Sequence, residues 1–399
     1  MSDVVYLDNN ATTAVAPEVL EAMMPYLTDL YGNPSSIHTF GGQVMAHVEA
    51  ARARLAALVG ARPGEILFTS CGTESDSTAI HSAVRCLPDR RHVVTTRVEH
   101  PAVRNVCRLL HDELDYRLTE VGVDSQGRLD MDEFRDAVDD DTVLVSVMWA
   151  NNETGVVFPI EQCAAIAKAR GAIFHTDAVQ AVGKLPVALA DSRIDMLSLS
   201  GHKLHAPKGV GALYVRRGTP FVPFVHGGHQ ESSRRAGTEA VPNLIALGRA
   251  AELAHQRIDD ENTRVRRLRD RLEKGLLATC PDARVNGGEA DRLPNTCNVS
   301  FEFVEGEAIL LLLDQEGICA SSGSACTTGS LEPSHVLRAM GVPFTAAHGS
   351  IRFSLSVYTT DDDIDRTLAA MPGIIARLRE ISPFGRDKTK SAAGKRTIP

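Results

Sequence analysis

The stretch VLVSVMWANNETGVVFPIEQCAAIAKARGAIFHTDAVQ (143–180) decides how the fold is interpreted. It begins with an almost continuous apolar and β-branched run, VLVSVM (143–148), and a second such run, AIFHT (172–176), follows near its end. Between the two runs, PIEQCAAIAKAR (159–170) has a helical pattern. Strand, helix and strand in this order predict a βαβ unit, in which a helix connects two parallel strands.

The same alternation continues on both sides of this unit. Helical patterns such as TESDSTAIHSAVR (73–85) and PAVRNVCRLLHDEL (101–114) separate further strand-like runs, which are EILFT (65–69), HVVTT (92–96), LDYRLT (114–119), IDMLSLS (194–200) and GALYV (211–215). We therefore predict an α/β fold whose large domain has a seven-stranded, mainly parallel sheet covered on both faces. Such sheets bind ligands beyond the carboxyl ends of their strands.

The pattern changes after about residue 242. Two long helical stretches, NLIALGRAAELAHQ (243–256) and TRVRRLRDRLEKGLLAT (263–279), precede alternating strands at 296–303 and 351–358. This predicts a smaller α+β domain that is joined through a long helix. The predicted division is a large domain over 16–258, a small domain over 1–15 and 259–384, and a disordered basic tail over 385–399.

Composition excludes several classes of protein. The 42 basic and 51 acidic residues give a net charge of −9, which argues against general binding to nucleic acid or anionic membranes. The first residues, MSDVVYLDNN, lack the apolar core of a signal peptide, and the apolar run EAILLLLD (307–314) is too short to span a bilayer. The eight cysteines include no CxxC pair, so we expect mostly reduced, buried thiols in a cytoplasmic protein.

A lysine follows one predicted strand in SGHKLHAPKG (200–209). Taken alone, Lys203 is an ordinary surface lysine, and the chain has no GxxxxGK[ST] phosphate loop. However, Ser200 and His202 flank it at a strand end, where an anion can be held. A desolvated lysine at such a place can form a Schiff base.

A carboxylate and an amide follow another predicted strand, in FHTDAVQ (174–180). His175 and Asp177 are possible metal ligands, but no third ligand is nearby, and a structural role for Asp177 is also open. A carboxylate here can instead pair with a protonated pyridine nitrogen, which makes the ring a better electron sink. Gln180 would then bind the phenolic oxygen of the same ring.

Gly72 and Thr73 begin a predicted helix directly after a strand, in FTSCGTESDS (68–77). Backbone N–H groups and a hydroxyl at a helix N-terminus form a natural phosphate site, although an ordinary helix cap explains the same residues.

Two further strand ends carry polar side chains. His100 precedes a helix that begins with proline, and it can stack on an aromatic ring, shuttle protons or serve only as a structural histidine. Asn152 ends the strand in MWANNETG (148–155) and can contact a ring substituent. Polar residues at five strand ends of one sheet together favour a single ligand site.

The small domain contributes two more candidates. Cys326 lies in ASSGSACTTGSLEPSH (320–335), where glycine and serine on both sides predict a flexible loop. It is either a structural thiol or a mobile thiolate that attacks a bound substrate. Arg352 falls on the polar side of the strand IRFSLS (351–356), either as a surface residue or as a bidentate clamp for an amino-acid carboxylate.

With these residues in place, the sequence resembles the cysteine desulfurases of the fold-type-I pyridoxal-phosphate superfamily. The resemblance runs from YLDNNATT (6–13) to IRFSLSVYTTDDDID (351–365), and it is carried by VEHPAV, HTDAVQ, SGHK, RRAGTE and SSGSAC. The segments CGTESDS, MWANNETG and GHKLHAPKG are most similar to the nitrogen-fixation (NifS-like) type that serves nitrogenase.

The resemblance implies a role for each residue in binding pyridoxal phosphate. Lys203 is expected to hold the cofactor as a Schiff base and then to move protons. Asp177 would pair with the pyridine nitrogen and Gln180 with the ring oxygen, while His100 would stack on the ring as an acid and base. The expected phosphate ligands are Gly72, Thr73, Ser200, His202 and, from the partner subunit of an obligate homodimer, Thr238.

The resemblance also implies the reaction. L-cysteine, bound through Asn152 and Arg352, would become L-alanine, while Cys326 receives the sulfur as a persulfide. Cys326 would pass the sulfur to an iron–sulfur scaffold protein, and a transient iron–sulfur contact through Cys326 is possible during transfer. The alternatives are a housekeeping desulfurase, a selenocysteine lyase or an aminotransferase on the same fold. A non-enzymatic iron–sulfur carrier is disfavoured by the scattered cysteines.

Overall fold

The computed structural model describes residues 4–322 and 333–382. Its strands are β1 (Val5–Tyr6), β2 (Ile66–Thr69), β3 (His92–Thr96), β4 (Arg117–Val121), β5 (Thr142–Ser146), β6 (Ile173–Asp177), β7 (Met196–Ser200), β8 (Gly211–Val215), β9 (Ala283–Val285), β10 (Thr296–Phe301), β11 (Ile318–Cys319), β12 (Ser321–Ser322) and β13 (Ser350–Ser354). Its helices are α1 (Pro17–Met23), α2 (Pro25–Thr28), α3 (Thr39–Leu58), α4 (Gly72–Cys86), α5 (Pro101–Leu114), α6 (Met131–Ala137), α7 (Ile160–Ala169), α8 (Gln230–Ser233), α9 (Val241–Gln256), α10 (Ile258–Asp260), α11 (Arg266–Thr279), α12 (Gly306–Gln315), α13 (His335–Ala339), α14 (Phe344–His348) and α15 (Asp361–Ile381).

The large sheet has seven strands in the order β2-β8-β7-β6-β5-β3-β4. Strands β7, β6, β5, β3 and β4 are parallel, and β8 alone runs antiparallel, between β2 and β7. All residues of β5, β6 and β7 are buried, because helices cover both faces, and this explains their continuous apolar runs. The predicted α/β class with a seven-stranded, mainly parallel sheet is confirmed.

Several strand bounds differ from the predictions by one to four residues, the start of β4 and the end of β5 among them. LDYRLT (114–119) was expected to be a strand, but α5 extends to Leu114 and ends at Asp115, which has the left-handed φ of 59°, so β4 begins only at Arg117. The predicted strand 143–148 ends as β5 at Ser146. Beyond it, the Val147 and Trp149 N–H groups still donate to carbonyls at the end of β6, which brings residues 147–152 beside Asp177.

A second, antiparallel sheet has the order β12-β13-β10-β9. β1 pairs with β11, and Val5 and Leu7 share a hydrophobic cluster with α11, α12, α15 and the second sheet. The hydrophobic cluster around the large sheet also includes Val336 and Leu337, which follow residues 323–332 in the chain. The domain boundaries stay predictions. Among the described residues, no helix is long and apolar enough to cross a membrane.

Candidate active site

One pocket of about 360 Å³ collects most of the predicted residues at the carboxyl ends of β5, β6 and β7. Parallel strands end at the same edge of a sheet, so the polar residues that follow them converge. The pocket is lined by Asn10, Ala11, Cys71, Gly72, Thr73, Asp76, His100, Met148, Ala150, Asn152, Asp177, Val179, Gln180, Ser200, His202, Lys203 and Arg352.

Lys203 lies in the single helical turn that follows β7. Its Nζ donates to the backbone oxygens of Asn10 at 2.5 Å and Ala11 at 2.7 Å. Burial lowers the pKa of Lys203 to about 7, and the positive charges of Arg352 and Lys184 act in the same direction. An amine with this pKa is partly unprotonated at neutral pH, and the unprotonated amine is the form that can act as a nucleophile.

Asp177 and the partly buried His100 both line the pocket and act on each other electrostatically. Burial raises the pKa of Asp177, while His100 and Lys203 oppose that rise. Burial lowers the pKa of His100, against the effect of Asp177. The Nδ1 atom of His100 accepts from the Ala102 N–H at 3.1 Å, so the proton of the neutral ring is on Nε2.

Both ring nitrogens of His175 contact serine hydroxyl groups. Its Nδ1 contacts Ser146 Oγ and its Nε2 contacts Ser198 Oγ, both at 2.9 Å, and burial lowers its pKa to about 3. Within residues 4–322 and 333–382, no three potential ligand side chains are grouped for a metal ion.

The first turn of α4 forms one end of the pocket. Gly72 begins this helix, and a Cβ at that position would lie 3.0 Å from Val179 Cγ2 and 3.4 Å from Ser200 Cβ. A larger residue at position 72 would therefore crowd Val179 and Ser200 at this end of the pocket. His202 contacts Thr12 Oγ1 at 3.2 Å, and burial together with Lys203 lowers its pKa to about 4. The helix N-terminus and these side chains suit a phosphate.

Arg352 is not a surface residue, since it is only 3% exposed in the middle of β13. Its Nη1 donates to the Asn152 carbonyl at 3.0 Å, and its Nη2 donates to Asp8 Oδ1 at 2.8 Å. The Nε atom has no partner among the described residues. A guanidinium that lines the same pocket as Lys203 suits an amino-acid carboxylate.

Sequence reasoning missed the N-terminal contribution to this site. Asn10 and Ala11 line the pocket, and the Asn10 carbonyl also accepts from Gln180 Nε2 at 3.0 Å. The polar run DNNATT after β1 was the available signal. Asp76 was also missed, and burial raises its pKa well above the ordinary range, with Asp177 adding to the rise. The sequence CGTESDS gives no sign that Asp76 faces inward.

The structure does not bring one predicted residue into the pocket, and another is not among the described residues. Thr238 lies on an exposed loop and does not line it. Cys326, also the predicted transient iron–sulfur contact, lies outside the described residues.

Comparison with known proteins places this geometry in a family. The family described as aminotransferase class-V matches residues 5–367. The chain belongs to this family. A class-V chain with a partly buried lysine, a carboxylate and a helix N-terminus in one pocket confirms the prediction that the cofactor is pyridoxal phosphate.

Individual members of the class-V family are similar over nearly the whole chain. A cysteine desulfurase of Nostoc sp. is 60% identical over 385 residues, which are 96% of each protein. The cysteine desulfurase NifS of Azotobacter vinelandii is 59% identical and covers 96% of this chain and 95% of its own length. A solved NifS-like protein superposes with a TM-score of 0.88 at 38% identity, over 94% of this chain and all of the other. The resemblance to cysteine desulfurases, including the NifS type, is confirmed.

Proposed function

We propose that this class-V chain is a cysteine desulfurase, which converts L-cysteine to L-alanine and retains the sulfur as a persulfide. The observation that carries the proposal is the convergence of Lys203, Asp177 and Arg352 in one pocket. An amine with a lowered pKa, a ring-facing carboxylate and a carboxylate-binding guanidinium are the groups that amino-acid chemistry on pyridoxal phosphate requires.

The residues present fit the cofactor. The N-terminus of α4 with Gly72, Thr73, Ser200 and His202 would hold its phosphate, and Lys203 would hold its aldehyde carbon. Asp177 would face the pyridine nitrogen, whose positive charge would keep this buried carboxyl ionised. When bound, pyridoxal phosphate takes up the electron pair that is released at the Cα atom of the substrate.

The chain's own side chains would bind and deprotonate L-cysteine. Arg352 would bind the substrate carboxylate, with its position fixed by the Asn152 carbonyl and Asp8. Lys203, with a pKa of about 7, would accept a proton at Nζ near neutral pH and return it later. His100, protonated at Nε2 in its neutral form, would donate or accept the second proton.

Sulfur transfer would use Cys326. Its thiolate would attack the substrate Sγ, the Cβ–Sγ bond would break, and the electron pair left at Cβ would take up a proton. L-cysteine and the Cys326 thiol together give L-alanine and a Cys326 persulfide, so atoms and electrons balance. The persulfide sulfur would pass to an iron–sulfur scaffold protein, and the similarity to NifS of Azotobacter vinelandii supports a role in nitrogenase maturation.

A homodimer completes the proposal. The segment from α1 to the start of α3 exposes six large apolar side chains, and Tyr31 is 69% exposed. A soluble monomer seldom exposes such a concentration of apolar groups, so a second copy is the proposed cover. In this dimer the exposed Thr238 would reach the phosphate in the partner's pocket. All seven described cysteines are free thiols, which supports a cytoplasmic location.

The test is to incubate the purified, cofactor-loaded protein with L-cysteine and to measure L-alanine and the mass of the Cys326 peptide. We expect equimolar L-alanine and a peptide heavier by one sulfur atom. Cys326→Ala should keep the visible cofactor band and release no sulfide. L-alanine production without a Cys326 persulfide would refute the proposed sulfur transfer.

Three further measurements separate the alternatives. A selenocysteine lyase would prefer L-selenocysteine and would not depend on Cys326. An aminotransferase would convert an amino acid and a keto acid equally well in Cys326→Ala. A dedicated role in nitrogen fixation would appear as lost nitrogenase activity, with other iron–sulfur enzymes retained, when the gene is deleted in its host.

A further inference from the structure

A second buried lysine, Lys184, lies behind the pocket and has no part in the reaction described above. It is 6% exposed, although lysine is rarely buried unless its charge is compensated. Its Nζ donates to the Gln180 carbonyl at 3.2 Å and contacts Gln180 Oε1 at 3.5 Å. Lys184 therefore touches a predicted cofactor ligand from the side that faces away from the pocket.

The contacts on Gln180 fix the orientation of its amide group. An ammonium group can only donate, so the oxygen Oε1 faces Lys184. A backbone carbonyl can only accept, so the nitrogen Nε2 faces Asn10, to which it donates at 3.0 Å. Both contacts agree on one orientation, in which Gln180 presents N–H rather than oxygen to the pocket.

A chain of hydrogen bonds links Lys184 to Lys203. The Asn10 carbonyl that accepts from Gln180 also accepts from Lys203 Nζ at 2.5 Å. The turn before Lys184 is fixed on the same side, because Gly183 has a φ of +78° and a Cβ there would meet Leu204 Cδ2 at 2.5 Å. The backbone next to Lys184 thus packs closely against the residue that follows Lys203.

A buried carboxyl provides the countercharge of Lys184. Glu261, in the π-helical turn Glu261–Val265 before α11, shares a cavity of about 30 Å³ with Lys184 and Lys203, which is large enough for a water molecule. Its Oε2 has no hydrogen-bond partner in the described part of the chain. Burial lowers the pKa of Lys184 to about 8 and raises that of Glu261 to about 7, and each opposes the shift of the other.

We propose that Lys184 is a positioning residue: its ammonium group turns the Gln180 amide so that an N–H faces the ring-oxygen position, and its charge acts on Lys203 through the shared Asn10 carbonyl network. The ring-oxygen part rests on the proposed function, since it assigns Gln180 to the cofactor. An N–H donor stabilises a negatively charged ring oxygen, whereas the amide oxygen would repel it. The charge near Lys203 favours its unprotonated, nucleophilic form.

The test compares three substitutions of Lys184. Lys184→Met removes both the donor and the charge, Lys184→Gln keeps a donor without the charge, and Lys184→Arg keeps both. The first measurement is the pKa of Lys203 in the cofactor-free protein, obtained from the pH dependence of acetylation of its peptide by mass spectrometry. The groups that also act on this amine, and that remain unchanged, are Arg352, Asp8, Asp177, His100 and His202.

The expected pKa of Lys203 is about 7 in the wild type. This pKa should rise by roughly half to one unit in Lys184→Met and Lys184→Gln, because both variants lack the positive charge that lowers it. In Lys184→Arg, which keeps the charge, the pKa of Lys203 should equal the wild-type value. The dissociation constant for pyridoxal phosphate should rise about tenfold in Lys184→Met and less in Lys184→Gln, which can still orient Gln180.

Asn262→Ala is the matched control. Asn262 donates to the Lys184 carbonyl at 2.9 Å, so its loss loosens the same turn and lowers the thermal midpoint without touching the ammonium group. The pKa of Lys203 should stay unchanged in this variant. A merely structural Lys184 would give equal pKa values in the folded Met, Gln and Asn262→Ala variants, and that result would overturn the proposal. Because the cofactor-free measurement needs no turnover, it stands apart from the desulfurase assay.

Discussion

At the residue scale, Asp8 shares the guanidinium of Arg352 with the proposed substrate carboxylate. Asp8→Asn keeps a hydrogen-bond acceptor for Arg352 but removes the competing charge, so we expect KM for L-cysteine to fall about two- to fivefold. Asp8→Ala removes both, leaves Arg352 without its orienting partner, and should raise KM. Steady-state kinetics at one pH measure both variants. Equal KM values for the Asn and Ala variants would contradict a separate effect of the charge.

Glu99 leads to a prediction about pH and stability. Its Oε1 accepts from the Met148 N–H and from Thr96, its Oε2 has no partner within the described residues, and burial raises its pKa to about 8. The folded state then binds this proton more tightly than the unfolded chain, whose carboxyl has a pKa near 4.5. The protonated Glu99 carboxyl makes its full contribution to the free energy of unfolding below about pH 4.5, and this contribution is lost as the pH rises towards 8.

Glu99→Gln cannot titrate, so its stability relative to the wild type should improve between pH 5 and pH 8, by a few kcal/mol. Urea unfolding of the cofactor-free protein at both pH values measures the difference. A relative stability that does not change with pH would show that the Glu99 carboxyl is already ionised in the folded protein.

At the element scale, β2 is an edge strand of the large sheet, and side chains cover its open edge. The Glu231 carboxylate accepts from the Phe68 N–H at 2.9 Å and from both terminal nitrogens of Arg52 at 2.7 Å. Arg52 in turn donates to the Ile66 carbonyl at 3.0 Å. An ion pair thus satisfies the edge groups that would otherwise pair with another chain.

Glu231→Ala should lower the free energy of unfolding by about 3 kcal/mol, because the Phe68 N–H loses its acceptor and the buried Arg52 loses the carboxylate bound by both of its terminal nitrogens, keeping only Glu49 and the Ile66 carbonyl. Ser232→Gly is a control of opposite sign. Ser232 is exposed and has the left-handed φ of 57°, so glycine there should stabilise the fold by ~0.5–1 kcal/mol. Chemical denaturation distinguishes the two, and a neutral Glu231→Ala would disprove the role of the ion pair.

The large sheet was predictable because its strands are buried on both faces, so short β-branched runs stand out from the helices between them. The strand ends were predictable for the same reason, and with them Lys203, Asp177 and His100. Arg352 and Asn10 were harder. Sequence alternation placed Arg352 on a polar face of its strand. That face is buried, and the partners of Arg352 there are Asn152, 200 positions away, and Asp8, 344 positions away. Contacts over such separations leave no periodic trace in the sequence.

At the scale of the whole molecule, the proposed dimer makes a prediction about which subunit each residue serves. If Thr238 reaches the partner's pocket, each site combines Lys203 of one subunit with Thr238 of the other. Lys203→Ala removes the nucleophilic amine, and Thr238→Asp places a negative charge beside the phosphate. Each variant alone should form dimers without activity, because both of its sites are defective.

A mixed dimer of Lys203→Ala and Thr238→Asp subunits, isolated by two affinity tags, separates the possibilities. One of its sites combines both defects, and the other combines a native lysine with a native threonine. Because the native site is complete, desulfurase activity should return to about half of the wild-type value per dimer. If Thr238 instead served its own subunit, each site would carry one defect and the mixed dimer would stay inactive. Activity of the mixed dimer therefore decides whether the two chains build one another's active sites.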